Sequence, residues 1–142
     1  MKGINAAETV EYISKYETDK ENPTVWILGL IDQQTRDRID DMSTSYEVDP
    51  KAGEEGKAKA VFHFNRARTE LVRAGLKGFR GFIDPKTGQE IEFKTMPTHK
   101  FGGVRQILHD EILNRIPRDV LKELADKIDA LNKMTGQEEK NS

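Results

Sequence analysis

Cysteine is absent from the 142 residues, which removes disulfide scaffolds, thiolate metal sites and cysteine nucleophiles from consideration. It also fits a reducing compartment. An excess of either charge sign is missing too: 23 Lys and Arg stand against 25 Asp and Glu, a formal net charge of −2. Such balance argues against a surface built throughout to hold nucleic acid or an acidic membrane. Long apolar runs are lacking. The richest window, "TVWILGLI", falls well short of the roughly 20 residues of a membrane helix, and "MKGINAAETVEYISKYE" has no apolar signal-peptide core. A soluble chain used inside a cell, with no membrane partner, is expected.

What is present is charge and a modest apolar fraction. Hydrophobic residues make up 35% and charged residues 34% of the chain, so a small core and a densely charged surface are expected. The length suits one domain, which at this size buries roughly 70% of its unfolded surface.

Along the chain, "AAETVEYISKYE" as a strand would place Val10, Tyr12 and Ser14 on one side and Ile13 on the other. Asn22-Pro23 then interrupts any helix. "TVWILGLI", holding the only tryptophan, reads as a buried strand. A helix is nearly as good there, because Ile31, Thr35, Ile39 and Met42 continue at helical spacing. "TSYEVDPKAGEEGKAKAVFHF" has hairpin form: Tyr46 and Val48 alternate on one arm and Ala60, Phe62 and Phe64 on the other. The loop "DPKAGEEGK" between them is polar and expected to be mobile.

From Asn65, a suitable N-cap, the period turns helical, with Phe64, Ala67, Leu71 and Ala74 in one stripe and Gly75 or Gly78 as the stop. Phe82 and the pair Ile91 and Phe93 flank "DPKTGQ", which predicts a second hairpin. "THKFGGVRQ" is irregular or a short strand. "LHDEILNRI" predicts a short helix. "PRDVLKELADKIDALNKM" is an amphipathic helix with Val120, Leu121, Leu124, Ile128 and Leu131 on its apolar face. The fold class expected is α+β: one domain over residues 1–135, two β-hairpins packed on two or three helices, a long C-terminal amphipathic helix, and a disordered tail at 136–142.

Catalytic and ligand motifs fail in turn. "KGFRGFIDP" resembles an RNA-recognition strand, but an extra residue puts Phe79 and Phe82 on opposite faces, and Asp84 and Pro85 occupy the next aromatic position. "GLKGFRG" lacks the Gly-Lys-Ser/Thr of a phosphate loop. "DPKTG" lacks the alternating carboxylates of a calcium loop. His63, His99 and His109 show no ligand spacing, and adjacent residues His109, Asp110 and Glu111 point in different directions on a helix. No catalytic residue, metal or cofactor is expected, and no enzyme. One polar feature stands out: Arg66, Arg73, Lys77 and Arg80 would align on a continuous helix as a basic stripe. That stripe would be a solvated face, a dock for an acidic partner, or a nucleic-acid surface. Nucleic acid is the disfavoured partner.

"KYETDKENPTVWILGLID", then "RARTELVRAGLKGFRGFIDPKTGQEIEF", then "ILNRIPRDVLKELADKIDALNKMTGQEEKNS" together resemble a group of small tailed-bacteriophage structural and assembly proteins, usually labelled tail assembly chaperones. The resemblance covers most of the chain in order and omits "DPKAGEEGK" and "THKFGGVR". It implies a non-enzymatic role in the host cytoplasm or the virion: holding the long, hydrophobic tape-measure protein soluble while the tail tube assembles around it. A homo-oligomer with phage tail or neck proteins as partners is expected. Trp26, Ile27, Leu30, Phe79, Phe82, Val120, Leu124, Ile128 and Leu131 are the candidate contact residues. The hairpin of 46–64 departs from the mostly helical chaperones and leaves open a virion neck or head–tail connector component.

Overall fold

The computed structural model describes Met1, residues 8–48 and residues 58–141, with side chains as far as Lys133. The chain is α+β. Its first sheet is antiparallel and three-stranded, in the order β1 (Thr9–Tyr12), β2 (Val25–Gly29), β5 (Leu76–Arg80). β2 is central, and four of its five residues are buried, which explains why "VWILG" reads as a continuous apolar run. Trp26 pairs with Tyr12 on one side and Phe79 on the other, and a register shift between Ile27 and Leu28 accommodates β5.

The helical spacing beyond this strand belongs to α1 (Gln33–Met42). Asp32 sets the boundary between the two: its carboxylate accepts from the Thr35 N–H at 2.8 Å and caps the helix. Val10 and Ile13 of the first segment are exposed, Tyr12 half-buried and Ser14 buried.

β3 (Thr44–Val48) and β4 (Ala58–Phe62) form the expected first hairpin, in register from Thr44↔Phe62 to Val48↔Ala58. The polar loop expected to be mobile, residues 49–57, lies outside the described residues. α2 (Phe64–Gly75) follows, with His63 rather than Asn65 at the N-cap position and no side-chain cap bond. Ala67, Leu71 and Ala74 are buried as the stripe required, but Phe64 is exposed. The helix stops at Gly75 and passes directly into β5.

The second hairpin forms where expected but is short, with the Ile91 N–H donating to Phe82 O at 2.7 Å and the Asp84 N–H to Gln89 O at 2.8 Å. "DPKTGQ" is a tight turn, closed by the Gly88 N–H donating to Asp84 O at 2.8 Å and by a single bridge, Ile83↔Glu90. Gly88 has φ 69°, the left-handed value that glycine adopts without cost. A further two-stranded sheet forms from β6 (Thr95–Thr98) and β7 (Arg105–Leu108). Their connection carries Phe101 into the core at 0% exposure, and Gly102 and Gly103, both at positive φ, turn the chain back.

α3 (Asp110–Leu113) is short. α4 (Arg118–Asn141) runs past Gly136, where the sequence pattern placed its end, and of the expected tail Ser142 lies outside the described residues.

The core gathers around α2 and α4. Val72, Leu124, Ala125 and Ile128 are all fully enclosed, with Leu71 and Leu76 beside them. The two helices pack closely at Gly75, where a β-carbon would stand 2.6 Å from Ile128 Cγ2 and 2.9 Å from Cδ1. Both distances are shorter than real contacts allow. Gly75→Ala should therefore lower stability by about 1–3 kcal/mol through overpacking, despite the better helix propensity of alanine. Thermal unfolding followed by circular dichroism checks this, and an unchanged or raised melting temperature would contradict the close approach.

Candidate functional site

The residues singled out as partner contacts mostly build the interior. Trp26, Leu30, Val120, Leu124 and Ile128 are buried, so the apolar face of the terminal helix is spent on α2 and the first sheet. Phe79 and Phe82 are half-buried and pack on Trp26 at centroid distances of 5.7 and 5.0 Å, while Phe93 meets Phe79 at 5.3 Å. These spacings and tilted geometries are those of stable aromatic clusters. Ile27 and Leu131 are only half-buried. For the five buried residues the expected exposed contact is corrected, because the core claims these strongly apolar side chains; Ile27, Phe79, Phe82 and Leu131 keep partial exposure.

The basic stripe also comes apart. It requires one helix across Arg66, Arg73, Lys77 and Arg80, but the chain changes to strand after Gly75. Each cation has its own partner. Arg66 donates to Met42 O at 3.1 Å, and Arg73 pairs with Asp110 and with Glu70. Lys77 donates to Ala74 O at 2.8 Å, and Arg80 grips Glu11 bidentately at 2.8 and 2.9 Å. Burial of Lys77 lowers its pKa below the usual lysine value, partly opposed by the charge of Asp32.

The histidines are dispersed. His63 shares a 2.8 Å hydrogen bond with Ser45 Oγ, His99 lies in a loop, and His109 caps α3 by accepting from the Glu111 N–H. Among the described residues no group of three His, Asp or Glu side chains is placed to hold a metal ion. The most convergent polar cluster is a fastening between β1 and α4. Glu123 accepts from the Tyr12 hydroxyl, from Ser14 Oγ at 2.8 Å and from the Lys15 N–H at 3.0 Å. Burial raises the pKa of Glu123, but these three donors outweigh it and hold the carboxyl below its usual value. Burial, together with donation to Glu123, pushes the Tyr12 hydroxyl up to about 12.

A surface remains that the sequence pattern displayed without identifying. In the ribbon β3–β4, the pairing puts Thr44, Tyr46 and Val48 on one side with Phe62, Ala60 and Ala58. That side is almost wholly apolar, and it is exposed: Tyr46 73%, Val48 65%, Phe62 40%. Phe64, 64% exposed, stands against Phe62 edge to face at 4.9 Å. The opposite side carries Ser45, Glu47, Lys59 and Val61.

Phe62 and Phe64 also wall a groove of about 340 Å³ whose floor includes Ile39, Ala67 and Leu71, so apolar ribbon and groove form one continuous surface. Among the described residues neither outer edge of the ribbon is paired further. The alternation of Tyr46 and Val48 with Ala60 and Phe62 was a legible signal. What a sequence does not carry is that α1 and α2 bury their apolar stripes elsewhere and leave this one uncovered. No protein-family model, curated protein or solved structure matches the chain.

The Tyr12–Glu123 fastening gives a pH dependence of known sign. Tyr12 binds its proton more tightly folded than unfolded, so its contribution is complete below the usual value of 10.0 and disappears as pH rises toward 12. Glu123 does the reverse: its contribution is present above 4.5 and is lost as pH falls through its folded value. In an alkaline absorbance titration, Tyr12→Phe should abolish a phenolate step near 12, and it should flatten the fall in stability over that range. Retention of that step in the variant would contradict the assignment.

Proposed function

We propose that this chain is a non-enzymatic phage assembly protein that works through protein–protein contacts, as a tail assembly chaperone for the tape-measure protein in the host cytoplasm. One observation carries the contact reading: the apolar side of the β3–β4 ribbon is exposed and continuous, through Phe62 and Phe64, with a groove rimmed by paired charges. A contiguous uncovered apolar surface on a charge-rich domain is characteristic of a docking site. Aromatic residues such as Tyr46, Phe62 and Phe64 are the side chains that most often supply binding energy at such sites. The phage assignment rests on the ordered resemblance of the sequence segments, and a chaperone needs an adaptable apolar surface of this kind.

A second reading draws on a different feature. Both ribbon edges are open, so a neighbouring subunit could extend the sheet by strand addition, as a neck or head–tail connector component would need. A nucleic-acid module loses its support with the basic stripe, since its four cations are divided between helix and strand and individually paired.

Co-expression with the tape-measure protein of the same phage tests the leading reading. The wild-type chain should keep that protein in the soluble fraction. Tyr46→Glu combined with Phe62→Ser should weaken the complex by about 30-fold or more, the effect of losing a well-packed anchor. A tape-measure protein equally soluble with the variant, or insoluble with the wild type, would reject the role.

A further inference from the structure

We propose that the cavity between β5, β7 and the start of α1 is a modification site, where the Lys77 amine condenses with a small aldehyde that carries a carboxylate. The cavity measures about 290 Å³, at the lower end of ligand-binding pockets. Leu30, Phe101 and Ile107 supply its apolar wall, and its charged side chains are Asp32, Lys77 and Arg105. None of these residues belongs to the ribbon–groove surface.

The fold holds the Lys77 amine in this cavity. Gly29 makes room for its stem: a β-carbon there would stand 2.7 Å from Lys77 Cγ and 2.8 Å from Cε. The stem therefore lies against the β2 backbone, and Nζ donates to Ala74 O at 2.8 Å. Among the described residues Lys77 forms no ion pair. Asp32, the carboxylate of the same cavity, is engaged by the Thr35 N–H and by Arg105 instead. Apolar walls in place of water disfavour the ammonium, and this outweighs the field of Asp32 and lowers the pKa. Desolvation of this kind is what makes a lysine a nucleophile toward carbonyl carbon. The side chain as a whole keeps enough exposure for a small molecule to reach it.

Arg105 selects the other end of the aldehyde. Its Nε donates to Gly102 O at 3.2 Å, one terminal nitrogen to Asp32, and the other to Gln34 Oε1 at 3.0 Å. Three of the five guanidinium N–H groups are thereby used, and two remain for a ligand. With Lys77 protonated, the lining carries two cations against one carboxylate, an excess that attracts a monoanion. A carboxylate bound to Arg105 keeps the aldehyde in the cavity that Lys77 lines, so binding precedes condensation. The step balances without a further reactant. The nitrogen lone pair bonds to the carbonyl carbon, the C=O π pair passes to oxygen, and oxygen leaves as water with both amine protons, giving an imine.

Reductive trapping on the full chain tests this. Para-formylbenzoate or benzaldehyde is added with cyanoborohydride, which fixes the imine as a secondary amine, and the labelled residues are mapped by mass spectrometry. The α-amine of Met1, which is fully exposed, serves as the internal reference. Lys77 is expected to label about 10-fold or more faster than any other lysine, an advantage that disappears in denaturing urea. Relative to Met1, para-formylbenzoate is expected to outpace benzaldehyde at Lys77 by about 10-fold, the worth of a charge-assisted hydrogen bond to Arg105. Lys77→Arg, which keeps charge and length, is expected to melt as the wild type does and to lose this labelling. Label spread evenly over the lysines, an advantage that persists in urea, or equal rates for the two aldehydes overturns the inference.

Discussion

The contact between α2 and α4 at Gly75 and Ile128 is the constraint from which the rest of the architecture follows. With no side chain at Gly75, the helices come close enough to enclose Val72, Leu124, Ala125 and Ile128 completely. Because α2 passes into β5 without a loop, its placement on α4 also fixes β5, and β5 fixes the central strand β2. Three long-range fastenings then tie α4 to the segments beside it. Glu123 holds β1, Asp129 holds α1 through Arg36, and Asn132 Oδ1 accepts from the Ile31 N–H at 2.9 Å. Phe101 enters from the β6–β7 connection and is fully buried.

This closure decides which apolar residues stay exposed. A chain with 35% hydrophobic residues has few to spare, and the core consumes Trp26, Leu28, Leu71, Leu124 and Ile128. Tyr46, Val48, Phe62 and Phe64 are left over, and they lie together on the ribbon and at the mouth of one groove. The polar side chains, by contrast, are largely occupied in fastening elements to one another. Arg73–Asp110 ties α2 to α3, Arg80–Glu11 ties β5 to β1, Arg105–Asp32 ties β7 to α1, and Arg115–Asp84 ties the segment after α3 to the tight turn. Exposed ion pairs of this kind contribute little each, and their value lies in orientation.

Local signals made part of this legible in advance. The α+β class, the buried strand at "VWILG", the ribbon of 44–62 and the terminal helix all follow from periodicity and turn residues. The misreadings share a physical origin. A basic stripe at helical spacing looked continuous because periodicity persists past Gly75, where packing against Ile128 ends the helix and pairing with β2 begins. The β6–β7 hairpin was hidden because Pro97 and the Gly102–Gly103 pair obscure alternation, and its reason for forming, burial of Phe101, is tertiary. Hydrophobicity ranks Trp26 and Leu124 above Tyr46 and Val48, and by itself it does not say which apolar residues packing leaves exposed.

The core cluster closes without any residue of the ribbon. Amide hydrogen exchange on the dilute isolated chain tests it most directly. The account predicts that amides in 44–48 and 58–62 exchange about 100-fold or more faster than those of β2, of 70–76 in α2 and β5, and of 120–128 in α4, because they open locally without unfolding the core. Protection of the ribbon equal to that of β2 would mean that it folds as part of the core, and would contradict the account.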